Sequence, residues 1–347
     1  MKQVAFKTLG CRLNQYETDA LASQFQDKGY ELVQFDESAD VYVINSCTVT
    51  HQRDHKSRNF LNQANRRNKD SVLVVTGCMA NNAKEELENR KEINYVVENN
   101  QKTSVFSLVE AHFDGEIIHP SKLNADLFSY GATDKGFHTR SMIKIQDGCD
   151  NFCTFCIIPS VRGDARSHKE ETILEQISKL AGNGFGEFIL TGTNVGSYGR
   201  DHNTSMAKLL KKMSQIRGVR RIRIGSLEPI QIDDEFIELL NEPWMAKQLH
   251  IALQHTSPTM LKHMTRRNKF ENDIALFLRL RERGFALGTD FIVGHPGETE
   301  ALWLEAMQNL KRLPLTHVHA FTYSKRDVTP SATMKGEVNG AVAKARL

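Results

Sequence analysis

Three cysteines stand together in Gly148-Cys149-Asp150-Asn151-Phe152-Cys153-Thr154-Phe155-Cys156, a C-x3-C-x2-C pattern. Thiolates this closely spaced on one loop can wrap a compact inorganic centre, and iron–sulfur clusters take cysteine thiolates as their usual ligands. A four-iron cube held by three cysteines leaves one iron for another ligand. Zinc competes for such a motif, although a structural zinc site wants four protein ligands. His168, twelve residues past Cys156, is in position along the chain to supply a fourth. Spacing alone therefore leaves zinc open beside the cluster, and three unrelated core cysteines are the bland alternative.

The other three cysteines are scattered, but their settings are alike: Leu9-Gly10-Cys11, Asn45-Ser46-Cys47 and Thr76-Gly77-Cys78. Each follows an apolar, strand-like run after a short spacer. In an open parallel sheet the carboxyl ends of the strands share one edge, and ligands bind there. Residues far apart in sequence would then meet, with Gly10 and Gly77 allowing tight turns. The sharp expectation is a second three-cysteine centre. The bland one is three buried small apolar residues, since free cysteine is often buried.

Positioning these residues requires two β/α series. The first has strands expected at Val4–Leu9, Val41–Asn45, Val72–Thr76 and Tyr95–Val97, with helices at Tyr16–Lys28, Gln52–Arg67 and Ala83–Arg90. That alternation implies an α/β domain with a doubly wound parallel sheet over residues 1–117. Residues 118–138, with Pro120, Gly131 and Gly136 and little periodicity, read as a linker. The second series, 139–330, has six expected strands: Met142–Gln146, Glu187–Thr191, Arg221–Gly225, Gln248–Ala252, Leu287–Val293 and His317–Phe321. Helical stretches lie between them. Six β/α units are too few for an eight-fold barrel, so an open partial (β/α)6 barrel is expected, with functional residues after its strands.

The charge balance, 45 basic against 42 acidic residues, is too even to argue for a nucleic-acid partner by itself. No apolar stretch approaches a membrane span, and the start Met1-Lys2-Gln3-Val4 does not resemble a secretory leader. A cytoplasmic, membrane-free protein is expected. There, six cysteines favour metal or redox chemistry over disulfides.

With both cysteine sets in view, the chain resembles the radical S-adenosylmethionine (SAM) enzymes, and within them the methylthiotransferases. The stretch Thr8-Leu9-Gly10-Cys11-Arg12-Leu13-Asn14-Gln15-Tyr16-Glu17-Thr18 is similar to the branch acting on tRNA threonylcarbamoyladenosine, as is Val43-Ile44-Asn45-Ser46-Cys47-Thr48-Val49-Thr50. The resemblance implies two 4Fe-4S clusters. One, on Cys149, Cys153 and Cys156, would bind and cleave SAM, giving a radical that takes hydrogen from the substrate carbon. The other, on Cys11, Cys47 and Cys78, would carry the sulfur to be inserted, and a second SAM would supply the methyl. It further implies C2 of threonylcarbamoyladenosine at tRNA position 37 as the target, presented by the anticodon loop. An electron donor such as flavodoxin or ferredoxin and a sulfur source are implied partners. Isopentenyladenosine or a ribosomal-protein aspartate are the alternative substrates, and a non-catalytic metal-binding RNA adaptor is the alternative class.

SAM contacts carry over more loosely. The resemblance places Glu187 at the SAM amino group, Thr191 and Asn194 at the mouth of the site, and Ser226 and Glu228 at the ribose. Gln254 follows the fourth strand, and the turn at Gly294 would approach the adenine. Arg162 and Arg166 are candidates to neutralise a carboxylate or phosphate. The chain departs from the family pattern at His255-Thr256, His295 and Val328. Residues 331–347 read as the start of a connection into a C-terminal RNA-binding barrel that this sequence does not contain. Basic groups at Arg53, His55, Lys56 and Arg58, with Arg66, Arg67 and Lys69 at the same helix's end, at Arg217, Arg220, Arg221 and Arg223, and at Arg266, Arg267 and Lys269 fit phosphate contacts or plain solvated faces. Weak, strongly salt-dependent tRNA binding is expected.

Overall fold

The computed structural model describes residues 1–123, 126–130 and 139–347. The chain forms two compact units: Met1–Thr139 together with Ser160–Gly163, and Arg140–Pro159 together with Asp164–Leu347.

The first unit runs β1 (Gln3–Thr8), α1 (Arg12–Asp27), β2 (Glu31–Val33), β3 (Val41–Ser46), α2 (His51–Arg67), β4 (Val72–Gly77), α3 (Cys78–Asn82), α4 (Lys84–Glu88), β5 (Tyr95–Val97) and α5 (Val105–Phe113). Its five strands are all parallel, in the order β2-β1-β3-β4-β5. This is the doubly wound order whose connections reverse between β1 and β3. Strands β3 and β4 are buried along their whole lengths, which is why they read as continuous apolar runs. Helix α2 is polar except for a stripe of Asp54, Ser57, Leu61 and Ala64 at helical spacing, and Thr50 caps it by accepting from the Arg53 N–H. The short edge strand β2 was not expected from the sequence; its residues are only half covered.

The stretch read as a linker is partly packed on this unit. Gln101 donates to the Pro120 carbonyl (2.8 Å), and Tyr130 meets Tyr16 edge-to-face at 5.8 Å. Residues 124–125 and 131–138 of the expected linker lie outside the described residues.

The second unit contributes β6 (Ser141–Lys144), β7 (Gln146–Asp147), β8 (Arg166–Ser167), α7 (Glu170–Gly182), β9 (Glu187–Thr191), α8 (Met206–Ser214), β10 (Arg221–Ile224), α9 (Asp234–Leu239), β11 (Gln248–His250), α10 (Pro258–His263), α11 (Phe270–Glu282), β12 (Ala286–Val293), α12 (Glu300–Leu310), β13 (His317–Thr322) and α13 (Gly340–Arg346). Helix α6 (Ile158–Arg162) begins here and ends in the segment belonging to the first unit. Strands β10-β9-β6 and β11-β12-β13 form two parallel sheets, joined by bridges Ile222↔Met245 and Leu227↔Ile251. The six strands therefore follow one another in sequence order, and among the described residues nothing pairs β13 with β6. This is the open six-unit arrangement expected. The small antiparallel pair β7–β8 is an addition that the sequence did not announce.

The end of the chain behaves differently from a free connection. Helix α13 packs on the turn after β12: a Cβ on Gly294 would lie 2.7 Å from that of Ala343. Arg346 donates to the Glu298 carbonyl (3.2 Å) and pairs with Glu300 at 2.7 Å. Residues 340–346 are thus part of the second unit's packing.

Candidate functional site: two three-cysteine centres

In the first unit, register places Thr8 beside Asn45 and Asn45 beside Thr76, one row across β1, β3 and β4. Cys11 follows that row by three residues, and Cys47 and Cys78 by two. All three therefore leave the same sheet edge, with Cys11 and Cys47 flanking the point where the strand order reverses. Gly10 and Gly77 have φ of 99° and 92°. Their role is also one of approach. A Cβ on Gly10 would lie 2.9 Å from Cys47 Sγ, and one on Gly77 only 2.3 Å from the Ser46 carbonyl. No side chain larger than hydrogen fits between these cysteine-bearing turns.

Asn14 locks the edge. Its amide donates to the carbonyls of Leu9 (2.7 Å) and Ser46 (2.9 Å), tying the turns before Cys11 and Cys47 together. Asn99 approaches Cys78 Sγ at 3.9 Å. Behind Asn14 lies a fully buried ionic group. Glu17 pairs with Lys102 at 2.5 Å and with Arg162 at 3.2 Å, and Arg162 also donates to Asn14 Oδ1 at 2.7 Å. Arg162, expected to neutralise a carboxylate or phosphate, neutralises the protein's own Glu17. Arg166 is exposed.

In the second unit the cysteine loop leaves β7. Phe152, at its apex, has φ of 47°, an uncommon conformation for a bulky residue and one that marks a constrained loop. The Cys156 N–H donates to the Cys153 carbonyl (2.9 Å), closing the loop's last turn. Gln146 ties the loop's base to the end of β9: its Oε1 accepts from the Asn194 N–H (2.7 Å), and its Nε2 donates to the Gly148 carbonyl (2.8 Å). Among the described residues, two side chains reach the sulfurs. Asn194 Nδ2 donates to Cys149 Sγ at 3.7 Å, and Arg266 Nη1 donates to Cys153 Sγ at 3.4 Å. Arg266 is in turn held by both carboxylate oxygens of Glu228, and Asn194 by Gln231 at 2.7 Å.

Several expected contacts land here and several do not. Thr191 is buried at the carboxyl end of β9, and Asn194 and Glu228 belong to the cysteine surround. Ser226 is exposed, and Gln254 is half-buried with φ of 69°, its backbone bridging to β12. Glu187 must be corrected. It is the first residue of β9, at the amino end, and it pairs with Arg223, with Arg221 at 3.5 Å and with Arg140 at 3.8 Å. Four residues of strand separate it from Thr191, about 13 Å at 3.3 Å per residue. The basic groups change as well: Arg266 belongs to the site, Arg221 and Arg223 serve Glu187, and Arg58 pairs with Glu86 at 2.8 Å. Arg53, His55, Lys56, Arg66, Arg267 and Lys269 remain exposed. Arg266 was missed as a site residue because it sits in a run of three cations, with nothing local to separate it from its neighbours.

The departures from the family pattern are structural. His255 is fully buried, stacks on Phe291 at 4.8 Å and accepts from the Ser257 N–H at 3.0 Å. His295 shares a hydrogen bond with Thr154 Oγ1 at 3.2 Å. Burial, helped by the neighbouring imidazoles, pushes His255 down to about 3 and His295 down to about 4. Val328 is exposed.

Burial also pushes the Cys47 thiol up to about 11 and Cys156 up to about 12. Such groups become thiolates only when a metal displaces their protons. Among the described residues, the one set of three His, Cys, Asp or Glu donor atoms within 4.8 Å of one another contains no cysteine. Three sulfurs on a single tetrahedral zinc would sit closer, about 3.8 Å apart from a Zn–S bond of about 2.3 Å. In the first unit the glycine-cleared space between the three turns suits a multi-iron cluster.

Comparison with known proteins agrees. Residues 3–98 match the family described as Uncharacterized protein family UPF0004, and residues 143–310 match the radical SAM superfamily. A Helicobacter pylori protein is 45% identical over 347 residues, covering 100% of this chain and 82% of its own. The Threonylcarbamoyladenosine tRNA methylthiotransferase MtaB of Aquifex aeolicus is 38% identical over 358 residues, covering 99% of this chain and 86% of its own. The chain belongs to the radical SAM methylthiotransferases. The MtaB of Bacillus subtilis is 39% identical, with 100% of this chain and 79% of the relative covered. Among solved structures, the radical SAM methyltransferase TsrM from Kitasatospora setae superimposes with a TM-score of 0.68 at 16% identity, covering 95% of this chain and 74% of TsrM, a likeness of fold. Methylthiotransferases of this family work with SAM and two 4Fe-4S clusters. No helix among the described residues is long and apolar enough to cross a membrane.

Proposed function

We propose that this methylthiotransferase adds a methylthio group to C2 of N6-threonylcarbamoyladenosine at tRNA position 37. The observation that carries a two-centre enzyme is the row across β1, β3 and β4, from which Cys11, Cys47 and Cys78 leave one edge with glycine-cleared space between them. The names of the MtaB relatives and the stretches around Cys11 and Cys47 support the substrate.

In this reading Cys149, Cys153 and Cys156 would hold the SAM-binding cluster, and Cys11, Cys47 and Cys78 would hold the sulfur-carrying one. When bound, the two clusters supply radical generation and sulfur storage, the steps no side chain can perform. The chain's own residues position them. Asn194 and Arg266 donate to Cys149 and Cys153 and so stabilise sulfur as thiolate. Glu228 holds Arg266 in place, with both oxygens committed to that task. Thr191, Ser226, Gln254 and Gly294 remain the candidates for SAM itself. The exposed cations of α2 fit the phosphates of an anticodon loop, a electrostatic contact that weakens as salt rises. An electron donor and a sulfur source complete the reaction, which takes place where tRNA is, in the cytoplasm.

Mass spectrometry of tRNA nucleosides from cells with and without the gene tests this. Loss of methylthio-threonylcarbamoyladenosine alone is expected. Loss of the methylthio-isopentenyl form instead, or unchanged tRNA, overturns the substrate assignment.

A further inference from the structure

The second unit holds a cluster of metal-ligand side chains that the two cysteine centres do not use. His250 ends β11, Asp290 lies in β12 and His319 in β13, on three adjacent parallel strands. His250 Nε2 is 3.1 Å from Asp290 Oδ1, and His319 Nδ1 is 3.7 Å from the same oxygen. One donor atom from each of the three lies within 4.8 Å of the other two. The imidazoles of His250 and His319 are stacked, with centroids 5.0 Å apart.

The convergence is built into the sheet. Side chains alternate along β12. Phe291 and Val293 pack beneath α12 with Ala306 and Trp303, so Asp290 faces the other side of the sheet. Register sets His250 beside Gly288 and His319 beside Asp290. Gly288 has no side chain for a reason: a Cβ there would stand 1.9 Å from His317 Nε2. The missing Cβ lets the His317 ring lie across the strand, at centroid distances of 5.8 Å from His250 and 5.3 Å from His319. Three imidazoles thus crowd around one carboxylate. As ordinary hydrogen-bonding groups they are poorly matched, because one carboxylate cannot balance several imidazoliums. As neutral imidazoles with one carboxylate they are a standard ligand set for a borderline divalent ion. Side-chain exposures of 12% for His250, 23% for Asp290 and 58% for His319 leave an entry path while drying the inner ligands.

We propose that His250, Asp290 and His319 bind one divalent transition-metal ion of the zinc class, with His317 bordering the site, sharing no residue with either cysteine centre.

Zinc titration of the full cluster-loaded chain, by calorimetry under anaerobic conditions, tests this. The cysteine sulfurs are then occupied. One zinc per chain is expected. His319→Ala, at an exposed position, should weaken binding at least tenfold, and His250→Ala/His319→Ala should abolish it. Zinc should also raise the melting temperature of the wild-type chain, raise that of His319→Ala less, and leave that of the double variant unchanged. With the variants melting like wild type in the absence of zinc, lost binding reports the site and not a lost fold. Absence of one-to-one binding in the wild type, or equal binding by the double variant, overturns the proposal.

Discussion

The two cysteine centres are built in opposite ways. In the second unit one loop carries all three cysteines, and side chains from other strand ends, Asn194 and Arg266, reach in to the sulfurs. In the first unit three separate turns carry one cysteine each, and the geometry depends on backbone register, on two glycines and on Asn14 fastening Leu9 to Ser46. A loop motif survives changes in the surrounding sheet. A sheet-edge motif is only as good as the packing behind it, so residues far from any sulfur govern it.

The largest effects should come from the ligands. Cys149→Ala should abolish SAM cleavage and leave the first unit's iron in place. Cys47→Ala should spare SAM cleavage, read as 5′-deoxyadenosine, and stop sulfur insertion. Methylthiolated product from the Cys47→Ala enzyme would break the comparison outright.

Next in size is Lys102→Met. It removes one of the two cations from buried Glu17; a buried charge left with no partner costs about 3–5 kcal/mol, and the remaining Arg162 keeps this loss below that. Iron should fall from about eight toward about four atoms per chain, with SAM cleavage retained. Equal loss from both centres would show that the ionic group does not specifically support the first.

Gly77→Ala follows, at about 2 kcal/mol or more, because the new Cβ meets the Ser46 carbonyl at a φ that disfavours alanine. Iron analysis and urea unfolding measure it. Retention of full iron and stability would mean the cleared space is unimportant.

The smallest effect per residue concerns acid. His255 and His295 have folded pKa values well below the unfolded 6.5. The unfolded chain therefore binds more protons below pH 6.5, and stability present above that pH is lost as pH falls toward 3–4. At pH 5.5 the loss is about 1.4 kcal/mol for each histidine. Both tryptophans, Trp244 and Trp303, lie in the second unit, so urea unfolding followed by their fluorescence reads that unit alone. A flat profile between pH 7.5 and 5.5 would contradict the buried, neutral state.

Much of this was legible in the residues themselves. C-x3-C-x2-C is local, and the strands behind Cys11, Cys47 and Cys78 are long apolar runs, so the two cysteine groupings and the parallel strands could be foreseen. What escaped was set by tertiary partners. Glu187 already opens the expected strand Glu187–Thr191, and what the sequence could not show is its commitment to Arg223, Arg221 and Arg140 at that amino end. Arg266 looks like surface charge until Glu228 and Cys153, far away in sequence, reach it. His250, Asp290 and His319 lie 40 and 29 residues apart, and only strand register brings them together. The segment 331–347 has no strong periodicity, and the packing of Ala343 on Gly294 supplies the order.

The four residues Ser160–Gly163 belong to the first unit although they are synthesised after the second has begun. At translation rates of about 5–20 residues per second, the roughly 50 residues between the end of α5 and Gly163 take about 2.5–10 s to make. Throughout that interval nascent Glu17 has Lys102 but lacks Arg162, and Asn14 lacks the guanidinium that will steady it. The first unit therefore cannot mature until the Cys149–Cys156 loop has already left the ribosome's catalytic centre, an order of manufacture that puts both sets of thiols on the nascent chain before either sheet edge is complete.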